Sequence, residues 1–219
     1  IRTPLTSIVG SASGILENQK VLTQEREMEL VQYIKDEAQW LIRIVENLLS
    51  VTRINGENAR INTEDEVVEE IISSAVIKFN KRFPEASVEV KMPEEFLMVA
   101  MDGVLIEQVL VNLLENAVLH GKTYTKICII VTHAPGRVEI DVEDDGQGIK
   151  ESVLPVMFEG KISSDEEESD SKRNMGIGLS VCHSIVKAHK GGMHAENRAE
   201  GGARISFWLP MNEEDTDGY

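Results

Sequence analysis

Between residues 53 and 67 the apolar periodicity of this chain changes, so no single repeating architecture can hold both parts. Up to Arg53 apolar residues recur every three or four positions, whereas beyond Val67 alternating runs appear among helical ones. A three-and-four spacing lines one face of a helix, and alternation lines one face of a strand. Within residues 1–18, Leu5, Ile8, Ala12 and Ile15 form such a helical face. After the polar break NQKVLTQE, residues 25–53 carry a second one: Val31, Ile34, Ala38, Leu41, Val45 and Leu48. Trp40, Ile42, Ile44 and Leu49 widen it beyond a two-stranded seam. Two helices of this kind have apolar surface to spare. A homodimer through residues 1–55 completes a four-helix bundle, and a hairpin packed on the rest of its own chain is the alternative.

The polar run NGENARINTEDE closes this part and predicts a linker over 56–66, with a second domain over 67–212. In that domain residues 67–83 read as a helix, 88–91 and 97–101 as short strands, and 105–119 as a strongly apolar helix. Residues 126–132 and 137–142 alternate on either side of the turn APG; 178–189 is again helical and 203–209 closes as a strand. Strands and helices without strict alternation predict an α+β sandwich, one sheet with helices on one face.

The 219 residues are enough for two small domains with separate cores. A net charge of −16, from 22 Lys and Arg against 38 Asp and Glu, excludes a nucleic-acid surface. Cys128 and Cys182 stand in apolar runs without metal-ligand spacing, as reduced thiols of a cytoplasmic protein do. No apolar run approaches the roughly 20 residues that span a bilayer. The chain opens at Ile1 in the middle of a helical pattern and reads as an excerpt, so membrane attachment is expected only through other segments.

Four short signals follow in order. NLLEN, residues 112–116, puts the carboxamides of Asn112 and Asn116 one helical turn apart on one face. A carboxamide oxygen is a neutral ligand suited to a Mg²⁺ that keeps waters and takes phosphate oxygens; helix decoration is the plain alternative. DDGQG, residues 144–148, ends a strand. Gly146 and Gly148 let backbone pass close to a ligand, and Asp144 can accept from an exocyclic amine, although Asp-Gly also makes ordinary turns. GIGLS, Gly176, Ile177, Gly178, Leu179 and Ser180, is expected to open a helix whose free N–H groups seat phosphate oxygens. GGARISFWLP, residues 201–210, is a strand reached through glycines. Residues 159–174 lie between the second and third signals and read as a polar lid, with Lys172 and Arg173 placed to meet phosphate and 165–170 as a solvated acidic face. Neither a dinucleotide fingerprint nor a P-loop is present.

These signals, with Phe158 between the second and third, resemble the N, F and three glycine boxes of histidine kinases, in the family's order. The opening IRTPLTSI resembles the tail of that family's histidine box. The strings NLLENAV and SIVKAH are most similar to the potassium-sensing sensor kinases. The resemblance implies ATP as ligand, Asn116 as the magnesium ligand, Asp144 on adenine, and a dimeric hairpin that docks a response regulator. It implies catalytic roles for Thr3, Asn112 and Glu115, and nucleotide contacts from Asn112, His120, Ile149 and Phe158 beside the residues of the glycine motifs. Aligned on IRTP, the phosphoaccepting histidine falls two residues ahead of Ile1; the five histidines present, His120, His133, His183, His189 and His194, all lie in the second domain. Leu119 and His120 replace the family's frequent Lys and Tyr, and Lys190 is an extra residue in its AHGG string. Gyrase- and chaperone-type ATPases resemble E-x-x-x-N at this helix; here the position holds Asn112, which cannot act as a base. A scaffold with a vestigial pocket is the non-enzymatic alternative.

Overall fold

The computed structural model describes residues 2–55, 61–120, 126–159 and 170–211, with backbone alone at 51, 53, 55, 120 and 170–177. They form two compact units, Ile1–Leu49 and Ser50–Tyr219.

In the first unit, α1 (Arg2–Asn18) turns through Val21 and Leu22, whose N–H groups both donate to Asn18 O, into α2 (Gln24–Asn55). Thr23 caps α2, its hydroxyl accepting from the N–H of Arg26 at 3.3 Å. Ile8, Ile15, Ile34 and Leu41 are half-buried. Leu5, Val9, Leu16, Val31, Val45 and Leu48 remain exposed.

The second unit begins with β1 (Glu64–Val67), α3 (Val68–Arg82), β2 (Ser87–Lys91), β3 (Met98–Met101) and α4 (Gly103–His120). It continues with β4 (Lys126–Ala134), β5 (Arg137–Asp144), α5 (Asp170–Ala188), β6 (Gly192–Asn197) and β7 (Ala203–Pro210). β1 and β3 pair antiparallel; the main sheet runs β2-β4-β5-β7-β6, with β2–β4 its parallel pair.

Alternation places Ile127, Ile129 and Val131 of β4, Val138, Ile140 and Val142 of β5, and Phe207 and Leu209 of β7 on one buried face. There they meet Leu105, Ile106, Val109, Leu110, Leu113 and Leu114 of α4 and Ile185 and Val186 of α5. At about 1.5–3 kcal/mol per fully buried large aliphatic side chain, this layer is the main stabilising term. The opposite face is polar: Glu143 opposes Arg204 and Asp141 opposes Ser206.

Three expectations are corrected. The linker expected to reach residue 66 ends earlier, because 64–66 belong to β1, where Glu64 and Asp65 face solvent, Glu66 is half-buried and no apolar alternation marks the strand. β6 was not expected; its sequence GMHAEN is polar, as suits an edge strand with little buried surface. The last helix starts at Asp170 instead of Gly178: DSKRNM has no breaker, so Gly176 and Gly178 lie within the helix and Asp170–Asn174 is helical backbone instead of lid. The rest of that expected lid, through residue 169, lies outside the described residues from 160 onward.

α5 ends with Lys190 in the left-handed region, φ 61°, while Gly191 N–H donates to Val186 O. Gly191 itself admits no side chain, since a Cβ there would lie 2.0 Å from Trp208 O.

Candidate functional site

α4, β5 and the segments that follow β5 and precede β7 converge on one narrow cavity of about 40 Å³. Its walls are apolar: Leu113 and Ala117 of α4, Val142 of β5, Met157, Leu179 of α5 and Ile205 of β7. Asn116 and Asp144 supply its side-chain polar groups, and Gly148, Ile149 and Ala203 complete the lining. An apolar pocket with a few placed polar groups is the usual form of a small-molecule site.

Asp144 ends β5, where its Oδ1 accepts from Gly146 N–H at 2.8 Å and Ala203 N–H at 3.3 Å. Burial raises its pKa above the ordinary aspartate value, and those two backbone donors oppose the rise. Gly202, at φ 83°, passes so close behind that a Cβ would lie 1.9 Å from Asp144 O. Asn116 is buried, and its Nδ2 has no hydrogen-bond partner among the described residues. An unpaired buried amide in a cavity wall fits a ligand that brings an oxygen acceptor to it.

Of the expected site residues, the cavity thus unites Asn116, Asp144, Gly148, Ile149 and Leu179. Gly146 lies behind, donating to Asp144. Asn112 sits elsewhere: its Nδ2 points to Cys182 Sγ at 3.6 Å, tying α4 to α5. Burial pushes that thiol up to about 12, which leaves Cys182 uncharged. Glu115, expected to be catalytic, does not line the cavity: one residue along a helix turns a side chain by about 100°, and it pairs with Arg82 of α3 at 2.5 Å. Phe158 stacks on His183 with centroids 5.7 Å apart, next to Met157, which is the lining residue. Gly178 is buried in α5 and Ser180 accepts Ser184 Oγ on its carbonyl. Thr3 is an exposed residue of α1 in the first unit. The side chains of His120, Lys172 and Arg173 lie outside the described residues; Gly176 is described as helical backbone alone.

Sequence reasoning missed the back of the site. Asn197 Oδ1 accepts Ile149 N–H and its Nδ2 donates to Ile149 O, both at 2.7 Å. Arg198 Nη1 donates to Asp144 O at 2.9 Å, and Glu143, almost fully buried, holds both Arg198 and Arg204. Asn197, Arg198 and Glu143 lie outside the glycine motifs, and only Arg204 falls in one; the available signal was the pair of polar residues a few positions ahead of Gly201 and Gly202.

Residues 101–213, more than half of the chain, match the family model of histidine kinase-, DNA gyrase B-, and HSP90-like ATPases. Residues 1–57 match that of the His Kinase A (phospho-acceptor) domain. The chain belongs to the sensor histidine kinases. It is 42% identical over 210 residues to the sensor protein KdpD of Clostridium acetobutylicum, covering 96% of this chain and 23% of that protein. The chain therefore spans about a quarter of the length of such curated relatives. Among solved structures of sensor histidine kinases, the catalytic domain of histidine kinase ThkA superposes with a TM-score of 0.58 at 26% identity, over 69% of this chain and 97% of that one. ThkA in complex with the response regulator protein TrrA gives 0.72 at 24% identity, over 97% of this chain and 59% of that one, and shares its fold.

Proposed function

We propose that this chain is the catalytic portion of a potassium-sensing-type sensor histidine kinase, which transfers the γ-phosphoryl of ATP to a histidine and from there to an aspartate of a response regulator. The observation that carries this reading is the convergence of Asn116 and Asp144 on one apolar cavity. Family membership and the order of the motifs support it. Partners are a second copy, through the exposed apolar stripe of α1 and α2, and a receiver domain of the kind that TrrA represents for ThkA.

In this reading Asp144 accepts the exocyclic amine of adenine, and Val142, Ile149 and Ile205 hold the ring out of water. Asn116 would hold Mg²⁺ through its amide oxygen, and a ligand oxygen would satisfy its unpaired Nδ2. The chemistry that magnesium would supply there is neutralisation of phosphate charge. Positioning by the cavity and charge neutralisation then account for most of the rate. Glu115 has no part as a base, because Arg82 and α3 occupy it. Water-activating chemistry of the gyrase kind lacks its carboxylate at this helix, because the position four residues before Asn116 holds Asn112.

The test is titration of the chain with a fluorescent ATP analogue, with and without Mg²⁺, followed by an acid-labile phosphorylation assay on a polypeptide carrying the His-Asp pair ahead of Ile1. Magnesium-dependent binding and labelling of that histidine are expected. No binding at high micromolar nucleotide would leave the scaffold reading in its place.

A further inference from the structure

The β6–β7 turn grips the loop that follows β5 from behind. Asn197 makes two 2.7 Å hydrogen bonds to one residue, Ile149, using donor and acceptor together. Arg198 binds Asp144 O at 2.9 Å, and its own N–H donates to Gly202 O at 3.0 Å. Gly148, at φ 75°, leaves no room for a side chain because a Cβ would lie 2.8 Å from Asn197 Oδ1. The loop between Asp144 and Ile149 holds two glycines, so little in its own sequence fixes its path. Its far end is fixed by Asn197, whose own side chain is exposed and outside the cavity.

We infer that Asn197 is a positioning residue: by clamping Ile149 it sets the part of the cavity wall that this residue forms, in the same cavity as Asp144, and thereby the discrimination between adenine and guanine. This rests on the nucleotide reading of the cavity. Adenine offers an amine to Asp144, whereas guanine offers a carbonyl oxygen at the corresponding edge. Rejection of guanine depends on the wall holding the base in one register against that carboxylate. A loop freed at Ile149 lets the base shift, and the penalty for an unmatched carbonyl falls.

The experiment compares the 1–219 chain with Asn197→Ala, Asn197→Ser and Asn197→Asp, measuring Kd for ATP and GTP by competition against a fluorescent ATP analogue, with thermal melting beside it. Asn197→Ala is expected to weaken ATP about tenfold, the order of two lost hydrogen bonds, while weakening GTP less, so that the GTP-to-ATP ratio of Kd narrows. Asn197→Ser, keeping one hydroxyl, falls between. Asn197→Asp keeps an acceptor for Ile149 N–H but sets an anion against Ile149 O, and tracks the alanine variant. Melting temperatures stay within a few degrees, because Asn197 is exposed at a strand end. A general loss of stability would weaken both nucleotides alike. An alanine variant that keeps the parent's ATP affinity and its ratio overturns the inference alone; a parent that binds neither nucleotide overturns the nucleotide reading and the inference with it.

Discussion

Asp144 works under two opposed demands. As a carboxylate it is the acceptor that the proposed function needs, yet burial favours its protonated form. Because its folded pKa is raised, its contribution to stability is fully present below the ordinary aspartate value and is lost as pH rises through the raised one. Nucleotide affinity moves the other way, falling as pH falls through that raised value, where the carboxyl stops accepting the amine. Binding titrations stepped from neutral pH down to about 4, the ordinary aspartate value, should show this decline. Asp144→Asn should weaken ATP by about 10–100-fold, the worth of a hydrogen bond to a charged group, without lowering the neutral-pH melting temperature. At Glu115 the prediction concerns stability instead. Glu115→Gln keeps nucleotide affinity and phosphorylation, whereas Arg82→Ala takes a cationic partner from a buried carboxylate and costs roughly 1.5–3 kcal/mol in urea unfolding. Loss of phosphorylation in the glutamine variant, with binding intact, would return Glu115 to the catalytic set.

At the level of elements, the sequence is legible where burial dictates pattern. β4, β5 and β7 alternate because one face packs on α4 and α5 and the other meets solvent or the Glu143 network. β1 and β6 are opaque for the same reason: as edge strands, EDEV and GMHAEN bury too little to show a period. The start of α5 is hidden in the sequence because its glycines look like a helix opening, whereas the residues ahead of them carry no helix breaker. Within the site, Asn116, Asp144 and Gly148 were legible from motif order. Asn197 and Arg198 were not, since their work is done on backbone atoms that no side-chain pattern reports. Lys190 carries a testable local strain. A left-handed residue with a Cβ closes α5 where glycine is the usual choice, so Lys190→Gly should raise unfolding stability by about 1 kcal/mol.

For the whole molecule, the exposed stripe of the helical unit and the order of the sheet set the behaviour. Val45 and Leu48 on α2 are about half exposed, as are Leu5 and Val9 or more so on α1. Val45→Lys should weaken self-association roughly tenfold or more by sedimentation, because each copy loses an apolar contact and buries a charge. An unchanged association constant would place the dimer contact elsewhere. In the second unit the last strand made, β7, lies between β5 and β6 instead of at an edge, and its Phe207 and Leu209 complete the core beneath α4. Translation at about 5–20 residues per second therefore leaves the core under α4, already faced by β4 and β5, waiting several seconds for Phe207 and Leu209 to complete it. A nascent chain stopped short of residue 203 has β5 as an open sheet edge and lacks the strand that joins β6 to it, and it is in that interval that a ribosome-bound chaperone has most to shield.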